Sequence, residues 1–294
     1  MIPASFDYVA PATLDEAVRA LVAHGEEAKL LAGGHSLLPL LKLRLAHPKL
    51  LIDLGKIPGL SGIRQQDDKI IVGALATHYQ LESSALLKAK CPLLCQTAHE
   101  IGDVQVRNRG TIGGSLTHAD PSADWPAAIL ALAGELNLSG PQGVRTLAAE
   151  DFFLGPMTTA IEATEILTEI RVPAFSRRYG SAYLKMPQQA SGFAIVGVAV
   201  SLQIGREGRC EEIGVGVTGL GGQPFRARAV EERLRENKLT AKLIEESAAR
   251  VAEGSDPLED LHASAKFRAH LAQVYTSRAL QEAVKRAVGR KSKN

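Results

Sequence analysis

Two short glycine-rich segments carry the residue types with the clearest chemical potential. They are Ala32-Gly33-Gly34-His35-Ser36-Leu37 and Thr111-Ile112-Gly113-Gly114-Ser115. Paired glycines let the backbone approach a ligand closely and point successive N–H groups into one concavity, and neighbouring Ser or Thr hydroxyls add further donors. Two such segments could hold one pyrophosphate between them. The alternative for each segment is an ordinary tight turn.

Other polar motifs point to chemistry less clearly. His118, Asp120 and Asp124 could be metal ligands or an acid/base set, and the alternative is a polar loop. The pattern GxGxxG occurs at 214–219, but LGGQPF follows it and does not start a helix, so we interpret it as a glycine-bearing strand. Lys185 is expected to be a solvated cation on a strand, and Trp125 is expected in the core. No nucleophile elbow or reactive cysteine supports hydrolase chemistry.

Composition narrows the class of protein further. The 294 residues contain 34 Lys+Arg and 32 Asp+Glu, a net charge of +2, which argues against a nucleic-acid or anionic-membrane partner. No basic leader and no apolar run of about 18 residues occurs, so we expect a cytoplasmic protein without a membrane span. Three cysteines predict no disulfide framework and cannot supply the four thiolates of an iron–sulfur cluster. Any electrons carried here would therefore sit on an organic cofactor.

The hydrophobic pattern predicts an α+β fold. Thr13 and Glu16 form a predicted capping box that opens a helix to about His24, and residues 29–32 predict a strand that leads through Gly33-Gly34 into a helix over 36–45. Further strands are predicted at 50–54 and 70–75, and helical patterns at 77–102 and 127–134. From Ala163 the pattern indicates successive antiparallel strands, and after Phe225 it indicates helices. This change of pattern places a domain boundary near Glu162.

Four motifs carry a specific resemblance. AGGHSLLPLLKLRL, LIDL, RNRGTIGGSLTHADPSAD and ILTEIRVP are similar, in their order and spacing, to the FAD-binding medium subunit of the molybdenum hydroxylases, the xanthine dehydrogenase and carbon monoxide dehydrogenase family. The resemblance implies a two-lobed FAD-binding domain of the vanillyl-alcohol-oxidase (PCMH) type over 1–175. It also implies a smaller carboxy-terminal domain with an antiparallel sheet and helices over 176–288, and a basic tail at 289–294.

The resemblance also implies roles for individual residues. The segments Ala32–Leu37 and Thr111–Ser115 would hold the FAD pyrophosphate through backbone N–H groups. Ile101 would line the nucleotide end, where some relatives carry an aromatic ring, and Asp124 would make a polar contact with FAD. Leu167 would pack on the cofactor. Lys185 would approach the flavin and stabilise its anionic reduced form.

The segment 186–195 matches the family's loop near the isoalloxazine ring. Phe193 stands about where carbon monoxide dehydrogenase-like relatives carry Tyr. The phenyl ring keeps an aromatic face at this position but has no hydroxyl.

The implied function is electron transfer. A large subunit with the molybdenum cofactor would oxidise the substrate, a small [2Fe–2S] subunit would relay electrons, and this chain would pass them from FAD to an external acceptor. The implied assembly is a dimer of heterotrimers in the cytoplasm, with peripheral attachment at the inner face of the membrane left open. One alternative is a stand-alone PCMH-type flavin oxidoreductase with its own small-molecule substrate. Another is a non-enzymatic module that binds a phosphate ligand or a metal.

Overall fold

The computed structural model describes residues 2–289, which form two α+β domains. The amino-terminal domain has two lobes, each built around its own sheet, and the carboxy-terminal domain has a third sheet covered by helices. This architecture confirms the predicted α+β fold class. The predicted basic tail lies outside the described residues except for Gly289.

The first lobe contains a small parallel sheet of order β1-β3-β2. Its strands are β1 (Asp7–Val9), β2 (Ala28–Leu31) and β3 (Leu50–Asp53), and its helices are α1 (Leu14–His24) and α2 (Leu37–Lys42). The first glycine-rich segment therefore connects β2 to α2, as the sequence predicts. A predicted continuation of α2 to residue 45 is wrong, because Arg44 adopts a φ of 57° and leaves the helical conformation.

The start of α1 differs from the predicted capping box in one bond. The Thr13 side chain accepts from the Glu16 N–H at 3.2 Å, as expected, but the Glu16 carboxylate accepts from the Ala12 N–H at 2.9 Å instead of the Thr13 N–H. A complete capping box opens a later helix, where Thr77 and Gln80 exchange both bonds. The Glu16 carboxylate thus bonds to the N–H one residue earlier than predicted, and α1 still starts where the sequence predicts.

The second lobe holds a five-stranded antiparallel sheet of order β4-β5-β10-β6-β7. Its strands are β4 (Ile63–Gln66), β5 (Lys69–Gly73), β6 (Glu135–Gly140), β7 (Gly143–Ala148) and β10 (Ile166–Pro173). A two-stranded pair, β8 (Phe153–Gly155) and β9 (Thr158–Thr159), lies beside it. The helices are α3 (His78–Ser83), α4 (Ala85–Lys90), α5 (Pro92–His99), α6 (Val104–Arg109), α7 (Ile112–His118), α8 (Asp124–Ala131) and α9 (Ala149–Phe152).

The placement of β10 corrects the boundary inferred from the change of pattern near Glu162. The sequence pattern groups β10 with the strands that follow it. In the structure, β10 pairs with β5 and β6 in the middle of the second-lobe sheet. Its alternation of apolar and polar residues identifies a strand and says nothing about which strands are its neighbours. The chain leaves this sheet only after Pro173 and enters the next at Tyr179.

The carboxy-terminal domain is an antiparallel sheet of order β11-β12-β13-β14 with three helices. The strands are β11 (Tyr179–Pro187), β12 (Ala194–Ile204), β13 (Cys210–Thr218) and β14 (Phe225–Arg226). The helices are α10 (Arg228–Leu234), α11 (Ala241–Ala248) and α12 (Ala265–Gly289).

Two glycines of the GxGxxG pattern explain how the domains join. The pattern lies on β13, as predicted, and α8 of the first domain packs directly against it. A side chain at Gly214 or Gly216 would collide with the carbonyl groups of Ala131 or Ala127 on α8. These glycines therefore permit a close approach of helix and strand, and they have no role in binding a dinucleotide.

The cysteines and the apolar character of the helices are two further features of the fold. Cys91, Cys95 and Cys210 are unpaired and buried. Among residues 2–289, no helix is long and apolar enough to span a bilayer.

Candidate cofactor-binding site

The two glycine-rich segments meet in the structure. Gly33 lies so close to the backbone of Arg109 and Gly110 that a Cβ on Gly33 would stand 2.9 Å from the Gly110 Cα. A Cβ on Gly114 would stand 3.8 Å from the Cβ of Ala32. The loop between β2 and α2 in the first lobe is thus in contact with the residues that lead into α7 in the second lobe. Glycine at position 33 is required because any side chain would separate these two segments.

The first segment offers unused backbone donors. In the described residues, the N–H groups of Gly34, His35 and Ser36 have no hydrogen-bond acceptor, although the Gly34 carbonyl accepts from Leu38 at 3.0 Å. Gly34 has a φ of 79°, which brings the chain round into α2. His35 and Ser36 are exposed. Consecutive N–H groups that face open space can bind an anion such as a pyrophosphate.

The second segment is a helix start instead of the predicted tight turn, and its backbone donors are already used. Gly113 and Gly114 lie in the first turn of α7, where the Thr111 side chain accepts from Gly114 at 3.2 Å. The N–H groups of Ile112 and Gly113 donate to Ala76 and Ala74, and that of Ser115 donates to Thr111. These backbone N–H groups are therefore engaged within the protein, and the contact of this segment with the pyrophosphate stays a prediction. The half-buried hydroxyl of Ser115 is the donor this segment presents.

A buried polar cluster forms the other end of the site. The carboxylate of Asp124, at the start of α8, accepts a hydrogen bond from the Tyr183 hydroxyl and contacts the Lys185 ammonium at 2.9 Å. The ammonium also donates to the Gly192 carbonyl at 2.7 Å. The Lys185 side chain is only 2% exposed, so the expectation of a solvated lysine is wrong. Lys185 and Tyr183 point to the same face of β11 because side chains two residues apart on a strand share a face.

Burial dominates the electrostatics of this cluster. It raises the pKa of Asp124 to about 6, although the neighbouring Lys185 ammonium acts in the opposite direction. Burial and the Asp124 carboxylate hold the pKa of Tyr183 well above its usual value. Asp124 is 5% exposed and its carboxylate is bonded to the protein. Asp124 therefore holds Lys185 and Tyr183 in place, and its contact with FAD stays a prediction.

The loop between β11 and β12 brings further predicted residues to this cluster. Phe193 closes the loop, with its ring 42% exposed and its carbonyl accepting from the Gln188 N–H at 2.8 Å. A Cβ on Gly192 would lie 3.8 Å from the Cα of Gly102, so Ile101 is next to this loop. Leu167 is buried in the second-lobe core, beside Thr168, whose carbonyl accepts from Ala74.

The segment that contains His118 and Asp120 is a structural turn. The Asp120 side chain accepts from the Ser122 N–H at 2.8 Å, and Ala119 adopts a φ of 51°. The Thr218 hydroxyl, from the other domain, donates to the carbonyls of Pro121 and Ala123 at 2.9 and 2.8 Å. Across residues 2–289, no group of three His, Cys, Asp or Glu side chains is arranged to hold a metal. These contacts support the polar-loop interpretation.

One residue that links the two ends of the site was not predicted from the sequence. His78, the first residue of α3, accepts a hydrogen bond at Nδ1 from the indole N–H of Trp125 at 3.1 Å. Trp125 is fully buried, as expected, and follows Asp124 in the chain, while His78 lies against Gly110. Tyr183 could have been found by the period-two pattern once Lys185 was singled out. No sequence signal distinguished His78 from an ordinary histidine.

Comparisons with known proteins identify the family. Residues 4–175 match the FAD binding domain in molybdopterin dehydrogenase, and residues 181–283 match the CO dehydrogenase flavoprotein C-terminal domain. The chain belongs to the molybdopterin dehydrogenase flavoprotein family. The resemblance inferred from the sequence is therefore confirmed, as are its FAD-binding domain and its place among the oxidoreductases.

Individual relatives of this flavoprotein align over almost its whole length. It is 40% identical to the carbon monoxide dehydrogenase medium chain of Hydrogenophaga pseudoflava over 284 residues, which cover 96% of this chain and 98% of that one. It is 35% identical to the 6-hydroxypseudooxynicotine dehydrogenase complex subunit alpha of Paenarthrobacter nicotinovorans, covering 98% and 97% of the two chains. A solved structure of the Hydrogenophaga pseudoflava enzyme, in a form lacking the Mo-pyranopterin moiety of its cofactor, superposes with a TM-score of 0.94 at 41% identity, covering 97% and 99%.

The donor set of the site fits the FAD that this family binds. The free N–H groups at Gly34, His35 and Ser36 and the hydroxyl of Ser115 suit phosphate oxygens. A buried lysine and an aromatic ring, Lys185 and Phe193, stand at the other end. Phosphate donors suit the pyrophosphate in the middle of FAD, and a cation with an aromatic ring face suits its isoalloxazine end.

Proposed function

We propose that this chain is the electron-transfer subunit of a molybdenum hydroxylase and that it passes electrons from a [2Fe–2S] subunit to an external acceptor. The observation that carries the proposal is the meeting of the two glycine-rich segments at Gly33 and Gly110, beside three free backbone donors, in a chain of this family. When bound, FAD supplies a centre that accepts and releases electrons. The described residues show no nucleophile or acid/base pair aimed at a substrate of their own.

We propose that the pyrophosphate lies against Gly34, His35, Ser36 and the Ser115 hydroxyl. The other proposed contacts are Ala32, Gly33, Leu37, Ile101, Thr111, Ile112, Gly113, Gly114, Leu167, Lys185 and Phe193, with Asp124 acting through Lys185. The FAD-binding domain is proposed to span 1–175 and the carboxy-terminal domain 176–288. Two observations support this division: the family matches end at 175 and begin at 181, and the chain changes sheets between Pro173 and Tyr179.

The same proposal implies two partner subunits. The relatives include a carbon monoxide dehydrogenase chain and a chain of a 6-hydroxypseudooxynicotine dehydrogenase complex, whose names specify different substrates for the same fold. We therefore propose that the substrate is chosen on a separate large subunit that carries the molybdenum cofactor. A small [2Fe–2S] subunit completes the proposed heterotrimer, which pairs into a dimer. The cytoplasmic location, with or without peripheral membrane attachment, stays a prediction.

The proposal is tested by the FAD content of a Gly114→Trp variant. Gly114 is half-buried beside Ala32, so an indole there would fill the space between the two segments. We expect the purified variant to lose its FAD while its far-ultraviolet circular dichroism remains that of the wild type.

A control variant completes this test. Gly62→Trp adds the same indole in an open turn, where only one backbone atom lies within 4 Å of the Cβ position. We expect it to retain FAD. Unchanged FAD in Gly114→Trp would refute the placement of the cofactor.

A further inference from the structure

His78 lies between the second-lobe sheet and the two glycine-rich segments. Its backbone N–H donates to the Gly110 carbonyl at 3.0 Å, and the neighbouring Thr77 forms an antiparallel bridge with Thr111. The residue is 4% exposed. Its ring is therefore fixed relative to the site by the backbone on one side and by the protein interior on the other.

Trp125 determines which imidazole nitrogen of His78 carries the proton. The indole N–H is a donor only, and it points at His78 Nδ1 from 3.1 Å, so Nδ1 must accept. In a neutral imidazole the proton then resides on Nε2. Burial, aided by the electrostatic effect of the neighbouring His35 and Arg107, lowers the pKa of His78 to about 4, so the ring is neutral at pH 7.

The Nε2–H group has no hydrogen-bond acceptor among the described residues, and it is not one of the side-chain atoms that are fully buried without a partner, so it stays within reach of solvent. Nε2 lies against Gly110, only 2.6 Å from the position that a Cβ on that residue would occupy. Gly33 packs against the Cα of the same Gly110. The unpaired donor is thus at the crossing of the two segments. A ligand acceptor there would take the place of water and form a hydrogen bond with a donor that the protein itself leaves unpaired.

We propose that His78 Nε2–H donates a hydrogen bond to a phosphate oxygen of FAD where the dinucleotide crosses the two segments, and that Trp125 positions the ring for this contact. The inference rests on the proposed placement of the pyrophosphate. The imidazole contributes a donor without a charge. A side chain at position 110 would collide with Nε2, so glycine there is required for the ring to hold this position.

Two substitutions separate the two roles of the ring. His78→Asn keeps an oxygen near Nδ1 that can accept from Trp125, but it removes the donor at Nε2. His78→Gln places an amide N–H near Nε2 and gives up the acceptor for the indole. Trp125 is the single tryptophan of the chain, so its emission reports on the indole bond directly. His24→Asn, at the exposed end of α1, is the matched control.

The experiment titrates FAD into the deflavinated full-length variants and follows flavin and tryptophan fluorescence. We expect His78→Asn to weaken FAD binding about tenfold or more with the Trp125 emission of the free protein unchanged. His78→Gln should bind within about threefold of wild type, with an altered Trp125 emission. Gly110→Ala, whose methyl would stand 2.6 Å from Nε2 and so displace the ring, should also weaken binding.

The outcomes separate the inference from the proposed function. If His78→Asn and Gly110→Ala both bind FAD within twofold of the wild type, the hydrogen bond from His78 is refuted and the cofactor site stands. If the wild type and His24→Asn themselves take up no FAD, the proposed function fails, and the inference fails with it.

Discussion

At the scale of single residues, two buried basic side chains of the site each depend on one partner. The His78 imidazole accepts at Nδ1 from Trp125, and Lys185 is tolerated in the interior because Asp124 faces it at 2.9 Å. Both have consequences for stability that solution experiments can measure.

The first prediction concerns pH. The pKa of His78 is about 4 in the folded chain against a usual value of 6.5, so the unfolded chain takes up the proton first as the pH falls. The stabilising contribution is therefore complete above pH 6.5 and is lost as the pH falls towards 4. Between pH 7.5 and pH 5 we expect His78 to account for a loss of about 2 kcal/mol in the free energy of unfolding.

Urea denaturation of the wild type and of His78→Asn at these two pH values measures this contribution. The wild type should lose about 2 kcal/mol more than the variant between them. Asp124, whose raised pKa changes stability in the opposite direction, is present in both proteins and cancels in the comparison. An identical pH dependence in the two proteins would contradict a neutral buried His78.

The second prediction concerns the ion pair of Lys185. Asp124→Asn leaves a buried ammonium with only the Gly192 carbonyl and a neutral amide, and we expect it to lower the free energy of unfolding by about 3–5 kcal/mol. The double variant Asp124→Asn/Lys185→Met removes both charges and should recover most of this loss. Thermal or urea denaturation of the four proteins of the cycle measures the coupling, and strictly additive effects would contradict it.

At the scale of elements, the site depends on the contact between the β2–α2 loop and the residues that lead into α7. Gly33 is pressed against the backbone of Arg109 and Gly110, which cannot rotate away as a flexible side chain could. The geometry of the loop and its unused N–H groups are therefore fixed by an element about eighty residues away in the chain.

The third prediction follows from this contact. Gly33→Ala should lower the free energy of unfolding by about 1–3 kcal/mol and also weaken FAD binding, because the added methyl separates the two segments. Gly62→Ala, whose new methyl would meet only one atom within 4 Å, is the control. Denaturation and FAD titration of both variants provide the measurement. Unchanged FAD affinity in Gly33→Ala would show that the contact does not shape the site.

Local sequence signals predicted most elements correctly and failed where tertiary contacts decide. The helix at α1, the strand at β2 and the glycine-bearing β13 follow from capping residues and apolar runs. Gly113 and Gly114 were expected in a turn, but the Thr111 cap and the packing of Gly113 on Ala74 make them the start of a helix. Glycine disfavours helices only weakly, so packing can override it.

The same distinction holds for the site residues. The two glycine-rich segments were found from composition and spacing, because close backbone approach requires glycine. Lys185 was expected in solvent because a lone lysine on a strand usually is, and only the fold places Asp124 opposite it. His78 gained its role from Trp125, which lies 47 positions further along the chain. Pairings at such distances leave no pattern in a single sequence.

At the scale of the whole molecule, the carboxy-terminal domain holds the cofactor-side loops of the first domain in place. The Arg268 guanidinium, from α12, is 1% exposed and donates to the carbonyls of Ile195 and Gly219 at 2.5 and 2.7 Å. Gly219 in turn donates to Pro121, and Ala194, next to Ile195, donates to Ser122. Arg268 therefore connects α12 to the turn before Asp124 and to the loop that carries Phe193.

The fourth prediction is that the two domains unfold together. Arg268→Met leaves two buried carbonyls and Asp260 without their donor, and we expect a loss of about 3 kcal/mol or more in the free energy of unfolding. Trp125 emission reports on the first domain, and far-ultraviolet circular dichroism reports on both. In Arg268→Met, the thermal transitions followed by Trp125 emission and by circular dichroism should move to lower temperature together.

Lys285→Met, on the exposed face of the same helix, is the control for this prediction and should change neither signal. A variant of Arg268 in which the circular dichroism transition moves to lower temperature while the Trp125 transition does not would contradict the coupling of the domains.

The visible absorption spectrum of the protein purified with its native partners shows whether this chain is the FAD-carrying subunit of a molybdenum hydroxylase. Heat release and identification of the coloured cofactor, with iron and molybdenum analysis of the same particle, complete the measurement. We expect FAD together with iron–sulfur absorption and molybdenum. A colourless particle that takes up no added FAD would contradict this expectation.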